Sequence, residues 1–271
     1  MADSLMAGVS IVIPAFDDRP ALRRLLSELH VALPQNNALA AGLRWEVIVV
    51  EGTTAAMPVI KPLASDRELA HQWLHCDASR SRQQQMGAQA ARYGVLWFLH
   101  ADSSAISAAA RWLNKRIASA DDAQNTALWG RFDVRLDGSQ TLLRVVAAMM
   151  NWRSRWSAIC TGDQGLFVTA ALLKQAGGWP DQPLMEDVEL SRRLKSIQRP
   201  VTPRIALTTS ARRWQRNGVF RTIFLMWRLR WLYFFGTSAT ELHNLYNPEK
   251  LDAADKLIGS DGSSSASSAP Q

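Results

Sequence analysis

The chain has 271 residues, is 47% hydrophobic and carries a formal charge of +7. That apolar content supports a packed core and excludes a wholly disordered chain. No run of 18 uncharged apolar residues occurs, which excludes a simple membrane-spanning helix. The basic balance points to phosphorylated small molecules or anionic lipid; no RNP signature or zinc-finger spacing indicates nucleic acid. Two cysteines, Cys76 and Cys160, without a CxxC pair fit a reducing, cytoplasmic setting better than a disulfide scaffold. Met1 to Gly8 lacks a basic region followed by a long apolar core, so no signal peptide is expected.

Val9 to Pro14 reads as a first strand, with a loop at Ala15-Phe16-Asp17-Asp18 beyond it. Leu22, Leu25, Leu26 and Leu29 then repeat at helical spacing, with Pro20 suited to the first turn. Pro34 to Asn37 breaks the pattern. Trp45 to Val50 is a second strand, ending on Glu51-Gly52-Thr53-Thr54. Asp66 to Ala70 reads as helical, and Trp73 to Cys76 as a strand. Ser81 to Tyr93 predicts a helix, capped by Gly94. Val95 to Leu99 is a continuous apolar run, the mark of a strand buried on both faces, and it stops on His100-Ala101-Asp102. Ser107 to Ala118 predicts a further helix. This alternation argues for an α/β fold with a mostly parallel sheet between helices.

The second half is less regular. Ala127 to Leu136 reads as one strand, Thr141 to Trp156 as a helix, and Gly165 to Val168 as a short strand. Ala170 to Ala176 reads as a helix stopped by Gly177-Gly178, and Leu184 to Ile197 as another. Val219 to Phe235 is long and aromatic, interrupted by Arg221, Arg228 and Arg230. Its composition suits an interfacial helix on a membrane surface; otherwise it packs on the domain or in a homodimer interface. Residues 258–271 are Ser-rich and predict a disordered tail. The domain reading is therefore a catalytic unit over 8–215, an amphipathic helical segment over 216–250, and that tail.

Three acidic groups fall at strand ends: Asp17-Asp18, Glu51 and Asp102. Polar residues commonly end strands and cap helices, so any one alone carries little. Three at corresponding C-terminal ends point to a ligand crevice, where open α/β sheets bind. His71, His75 and Cys76 lie close together, but a change from helix to strand separates them and no second ligand pair follows, so no metal site is expected there.

Ile13 to Asp18, Val49 to Thr54, Arg80 to Gln83 and Phe98 to Asp102 resemble the successive nucleotide-binding motifs of family 2 glycosyltransferases. Gly162-Asp163-Gln164, Met185 to Leu190 and Ser210 to Trp214 resemble that family's acceptor-side motifs. The wording of Leu99 to Asp102 and of Pro183 to Leu194 is most similar to a bacterial subgroup of arsenosugar-biosynthesis-type transferases. The resemblance runs from Ser10 to Tyr246 and implies a GT-A fold binding a nucleotide-activated sugar, often a UDP-sugar. By that resemblance Pro14, Asp17 and Asp18 line the nucleoside, Glu51 accepts a hydrogen bond from the base, and Arg80 lies by the base or diphosphate. Asp102 coordinates a divalent cation, Mn2+ or Mg2+, with His100 beside it. Gly162, Asp163, Gln164, Arg213 and Trp214 face a hydroxyl acceptor, and Asp187 is the catalytic base next to Glu186. Many relatives carry Asp-x-Asp where this chain has His100-Ala101-Asp102, so one carboxylate is replaced. The expected reaction is inverting transfer to a hydroxyl; the alternative is a non-catalytic nucleotide-sugar binder or membrane-docked scaffold that keeps the fold. A nucleotidyltransferase is disfavoured because the first loop is acidic rather than Gly-rich and basic.

Overall fold

The computed structural model describes residues 6–33, 43–54, 70–118 and 127–246. The predicted break at Pro34 to Asn37, most of the helical reading at Asp66 to Ala70, and the tail lie outside the described residues. The first half runs β1 (Met6–Ala15), α1 (Arg19–Ala32), β2 (Arg44–Thr53), β3 (Gln72–Asp77), α2 (Arg80–Ala90), β4 (Tyr93–Phe98) and α3 (Ser107–Ala118). The second half continues with β5 (Trp129–Gly130), β6 (Asp133–Leu136), α4 (Thr141–Ser157), a 3-10 turn (Gly162–Gln164), β7 (Phe167–Thr169) and α5 (Ala170–Gln175). It closes with α6 (Glu186–Ile197), β8 (Ala206–Thr209), α7 (Arg212–Asn217), α8 (Val219–Phe234) and α9 (Ala239–Tyr246).

The main sheet has the order β3-β2-β1-β4-β7-β5. β1, β2, β3 and β4 are parallel, and β7 joins β4 antiparallel. A second, two-stranded parallel sheet pairs β6 with β8.

Alternation along the central strands builds the core on both faces. Val9, Ile11 and Ile13 of β1 point to one side, where they meet Leu22, Leu25, Leu26 and Leu29 of α1 and Leu113 of α3. Val12, Ile48, Val50, Leu96 and Phe98 point to the other, against Leu172 of α5 and Leu190 and Leu194 of α6. Each fully buried leucine is worth about 1.5–3 kcal/mol relative to exposure. The helices on both faces are thus a direct consequence of strands apolar at every position.

Several boundaries differ from the sequence reading, each for a physical reason. α2 ends at Ala90, and Gly94 lies inside β4 rather than capping the helix. Arg92 at that junction is drawn out of the helix: its N–H and guanidinium both donate to buried Glu46, at 2.7 and 2.9 Å. The single strand expected over Ala127 to Leu136 is split at Arg131-Phe132. Arg131 is buried there, paired with Asp133 and donating to the carbonyls of Phe132 and Asn151. α6 begins at Glu186, not Leu184, because Met185 takes the left-handed conformation, φ 64° and ψ 20°. Glu51 falls in the last turn of pairing of β2 instead of beyond it.

Candidate active site

Parallel pairing carries the C-terminal ends of β1, β2, β3 and β4 to one edge. Ala15 sits opposite Glu51, Glu51 opposite His75, and Val12 opposite Phe98. The acidic strand ends read from the sequence therefore share that edge. Buried Gln83 of α2 holds two of these ends together. Its Nε2 donates to the carbonyls of Ala15 at 2.8 Å and Val50 at 2.7 Å.

The antiparallel strand brings in the second half of the site. Phe167 of β7 lies opposite Trp97, and the Phe98 N–H donates to the Leu166 carbonyl at 2.8 Å. The residues that precede β7 thereby arrive at the edge where β4 ends. Gly162-Asp163-Gln164 meets His100: Nδ1 lies 3.1 Å from Asp163 Oδ1. The ring packs so closely on Gly162 that a Cβ there would fall 2.3 Å from Nε2. Glycine at 162 is required by this approach. Gln164 is fully buried and closes its turn by accepting from the Thr161 N–H at 3.1 Å, so its role in the structure is to shape the loop.

α6 supplies the acidic pair. Asp187 Oδ2 accepts from the Gly162 N–H at 2.8 Å, and Oδ1 from the Val188 N–H at 2.8 Å. Ser191, one turn on, donates to the Asp187 carbonyl and accepts from the Cys160 N–H. The helix start and the Cys160–Gly162 loop are thus clamped together. Positive φ at Met185 aims both carboxylates from the first turn; a non-glycine residue there stores local strain, as functional sites often do. Glu186 is 4% exposed and lies 3.8 Å from Arg80. Burial, and then the neighbouring Asp187 charge, raise its pKa from 4.5 to about 7. Burial also opposes ionisation of Asp163, but the hydrogen bond and charge of His100, with Arg80 and Arg213 nearby, outweigh it and hold that carboxyl below its usual range.

On the other side of the edge, Glu51 and Asp18 are placed with partners that the sequence did not reveal. Glu51 accepts from Arg19 at 2.9 and 3.2 Å and from the Trp73 indole at 3.2 Å. Asp18 caps α1 by accepting from the Ala21 N–H, and pairs with Arg212 of α7. Asp17 takes positive φ, 51°, at the turn out of β1. Pro14 is the penultimate residue of that strand, opposite Val50. Asp102 lies half-buried in the turn after β4, close enough to Arg212 to feel its charge.

The cation site expected at Asp102 rests on that one carboxylate. Among the described residues no group of three or more His, Cys, Asp or Glu side chains converges as a metal site. His100 is turned to Asp163 and Gly162 and is not presented as a second ligand. One carboxylate still fits a cation that takes its remaining ligands from donor phosphates and water. His71, near the opposite end of β3, instead accepts the Val47 N–H on Nδ1 at 3.1 Å.

A cavity of about 330 Å³ opens beside Asp187. Gly162, Asp163, Glu186 and Asp187 form one wall together with Arg80 and Arg213; α4 and α8 form the other. Arg213 lies 4.1 Å over the ring of Tyr246, and Trp214 also faces the cavity. Arg153 and Arg230 in that wall were missed in the sequence reading. The only signal is an arginine in an otherwise apolar stretch, and it was read as lipid contact for Arg230.

No protein-family model matches the sequence, and no curated protein matches it. Solved structures do. The chain superposes on the mannosyltransferase PcManGT from Pyrobaculum calidifontis, in complex with GDP-Man and Mn2+, with a TM-score of 0.53 and 14% identity. That match covers 97% of this chain and 79% of the other. It also superposes on S. aureus TarS with a TM-score of 0.53 and 13% identity, covering 75% of this chain and 36% of TarS. TarS 1–349 in complex with UDP gives 0.52 and 12%, with 60% of that chain covered. The fold is GT-A. The chain spans just over a third of that TarS chain, and at these identities the likeness establishes architecture. Chemistry has to come from the side chains at the sheet edge.

Proposed function

We propose that the protein is an inverting glycosyltransferase, of the family 2 and arsenosugar-type kind its motifs resemble. It moves a sugar from a nucleotide diphosphate, with UDP as the first expectation, to an acceptor hydroxyl. One observation carries the reading. Gly162-Asp163 is joined to His100 of the β4 end on one side and to Asp187 on the other, so a nucleotide edge and a cavity meet at one acidic pair. Two glycosyltransferase structures of this fold hold UDP, or GDP-Man with Mn2+, which supports a nucleotide-sugar donor and a divalent cation.

The acceptor hydroxyl attacks the anomeric carbon as the bond from that carbon to the phosphate oxygen breaks. Its proton passes to Asp187, whose carboxylate is oriented by two backbone N–H donors. A single displacement inverts the anomeric centre. A positioned base of this type contributes about 10²–10⁴-fold to rate. Glu186 retains its proton to about pH 7, so the pair carries one negative charge rather than two where the hydroxyl must approach. Arg80 faces the leaving diphosphate from the start of α2. Asp102 is the residue that would hold Mn2+ or Mg2+, which when bound offsets charge developing on the diphosphate. Pro14, Asp17, Asp18 and Glu51 frame the nucleoside, with the Glu51 carboxylate held in place by Arg19 and Trp73.

The unit over 8–215 carries the catalytic groups, and 216–250 attaches them to a membrane surface. Two exposed apolar rows support attachment. Phe220, Phe224, Trp227, Trp231 and Phe234 repeat along α8, and Val145, Met149, Trp152 and Trp156 repeat along α4. Exposed Trp156 (82%) and Phe234 (84%) are costly in water and suit an interface. No described helix is long and apolar enough to cross a membrane.

The test is nucleotide release from a panel of UDP- and GDP-sugars with Mn2+ or Mg2+, over a panel of hydroxyl acceptors. Release that requires acceptor and falls with Asp187→Asn supports the reading. Binding without turnover, unaltered in Asp187→Asn, supports a scaffold instead. Flotation with anionic liposomes tests attachment, and protein left wholly at the bottom sinks it.

A further inference from the structure

The cavity between α4 and α8 holds two arginines that form no direct ion pair among the described residues. Arg153 on α4 has buried Nε and Nη2 atoms without a hydrogen-bond partner, and Arg230 on α8 has a buried Nε without one. Neither makes an ion pair among the described residues. Burial, then the charge of Arg230, depresses the Arg153 pKa to about 10; burial likewise lowers Arg230. Two guanidiniums that repel each other inside a half-dry cavity are expensive, and such groups persist where something else satisfies them.

The carboxylates of the same wall act on them only through space: Asp187 favours the charge of both and Asp163 that of Arg230, and neither forms a direct ion pair with them. Asp163 is engaged by His100, Glu186 by a proton to about pH 7, and Asp187 by the two N–H donors. Arg80 and Arg213 add further positive charge on the opposite wall. Most of the remaining lining is apolar: Met150, Ile223, Met226 and Leu229 are typical, and exposed Met149, Trp152 and Trp227 continue it outward into both surface rows. Asp102 and the β1 loop take no part in the lining; their cation is Arg212. The cavity therefore meets the diphosphate seat at Arg80 and extends from there past Asp187 to Arg153 and Arg230 on the acceptor side.

We propose that this cavity takes an amphiphilic acceptor bearing a phosphate-type anion, with Arg153 and Arg230 holding the anion and the apolar body leaving between α4 and α8. The proposal rests on the glycosyltransferase reading, since it identifies the class of molecule whose hydroxyl reaches Asp187. Planar guanidiniums recognise phosphate oxygens in a paired geometry. An apolar body would run along the exposed rows of α4 and α8 toward a lipid surface.

Titration calorimetry with decyl phosphate, decyl glucoside and inorganic phosphate, each below micellar concentration, separates the contributions. Decyl phosphate is expected to bind at least tenfold more tightly than either of the others. Arg230→Gln and Arg153→Gln should each weaken decyl phosphate about tenfold or more, with Arg230→Lys retaining part of the affinity. Without ligand, both glutamine variants should melt higher than wild type, because a repelling buried charge is removed; an arginine with a structural role would give the reverse. Equal binding of decyl glucoside overturns the anion, and equal binding of inorganic phosphate overturns the apolar body. Glutamine variants that melt lower, or bind decyl phosphate as wild type does, overturn the assignment. UDP binding measured on the same samples separates the two levels. Normal UDP affinity with no phosphate preference refutes this proposal alone, whereas absent UDP affinity in wild type refutes the glycosyltransferase reading.

Discussion

Glu186→Gln removes a charge that the fold holds at a cost, and the cost has a defined pH window. The carboxyl is buried at the start of α6 beside Asp187, and its pKa moves from 4.5 to about 7. Below pH 4.5 it is protonated folded and unfolded, and contributes nothing to the difference. As pH rises from 4.5 the unfolded chain ionises first, so the folded state loses ground until Glu186 itself ionises near pH 7. Each tenfold change in proton affinity is about 1.4 kcal/mol. The interval from 4.5 to about 7 then amounts to about 3 kcal/mol at alkaline pH. Glutamine keeps the size and polarity of the side chain and never ionises. Its melting temperature should match wild type near pH 4.5 and exceed it above pH 7.5. At about 2–4 °C per kcal/mol for a chain of this size, the gain is about 6–12 °C. Differential scanning calorimetry of both proteins from pH 4.5 to 8.5 reads it. A difference that is constant with pH, or a wild type that is the more stable at pH 8, refutes the reasoning.

Gln83→Ala strips one donor from two buried strand-end carbonyls and should cost about 2–4 kcal/mol in urea unfolding. Gly162→Ala places a methyl group 2.3 Å from His100 Nε2, so the ring must leave Asp163. Turnover is expected to fall at least tenfold, with UDP affinity held within a factor of about three by residues outside that loop. Asp102→Ala should remove the effect of Mn2+ on UDP affinity, leaving the same dissociation constant with and without the cation; a persistent Mn2+ effect would move the cation elsewhere.

The fold was largely legible because its signal is repeated locally. Ile11 to Ile13, Val47 to Val50 and Val95 to Phe98 are apolar at successive positions, and such strands must be covered on both faces. The leucines of α1 and the residues of α3 state their helical period plainly, and α3 spans Ser107 to Ala118 as expected. Errors fell where a buried charge governs the backbone. Arg131 splits a strand by taking the carbonyls of Phe132 and, 20 residues on, Asn151, and Glu46 pulls Arg92 out of a helix from 46 residues away. The candidate site was legible as an ordered set of acidic strand ends, but not as a connected unit. The contact of His100 with Asp163 depends on β7 running antiparallel to β4, and nothing in either motif announces that direction. Arg153 and Arg230 escaped notice because an arginine's value depends on what fails to face it.

The central claim is that Asp187 takes the proton of an acceptor in a sugar transfer from a nucleotide. Single-turnover nucleotide release, with the best donor of the panel and Mn2+, tests it directly in wild type and Asp187→Asn. The account predicts a loss of about 10²–10⁴-fold in the chemical rate with donor affinity unchanged. Equal rates in the two proteins, or a loss that follows donor affinity alone, would contradict it.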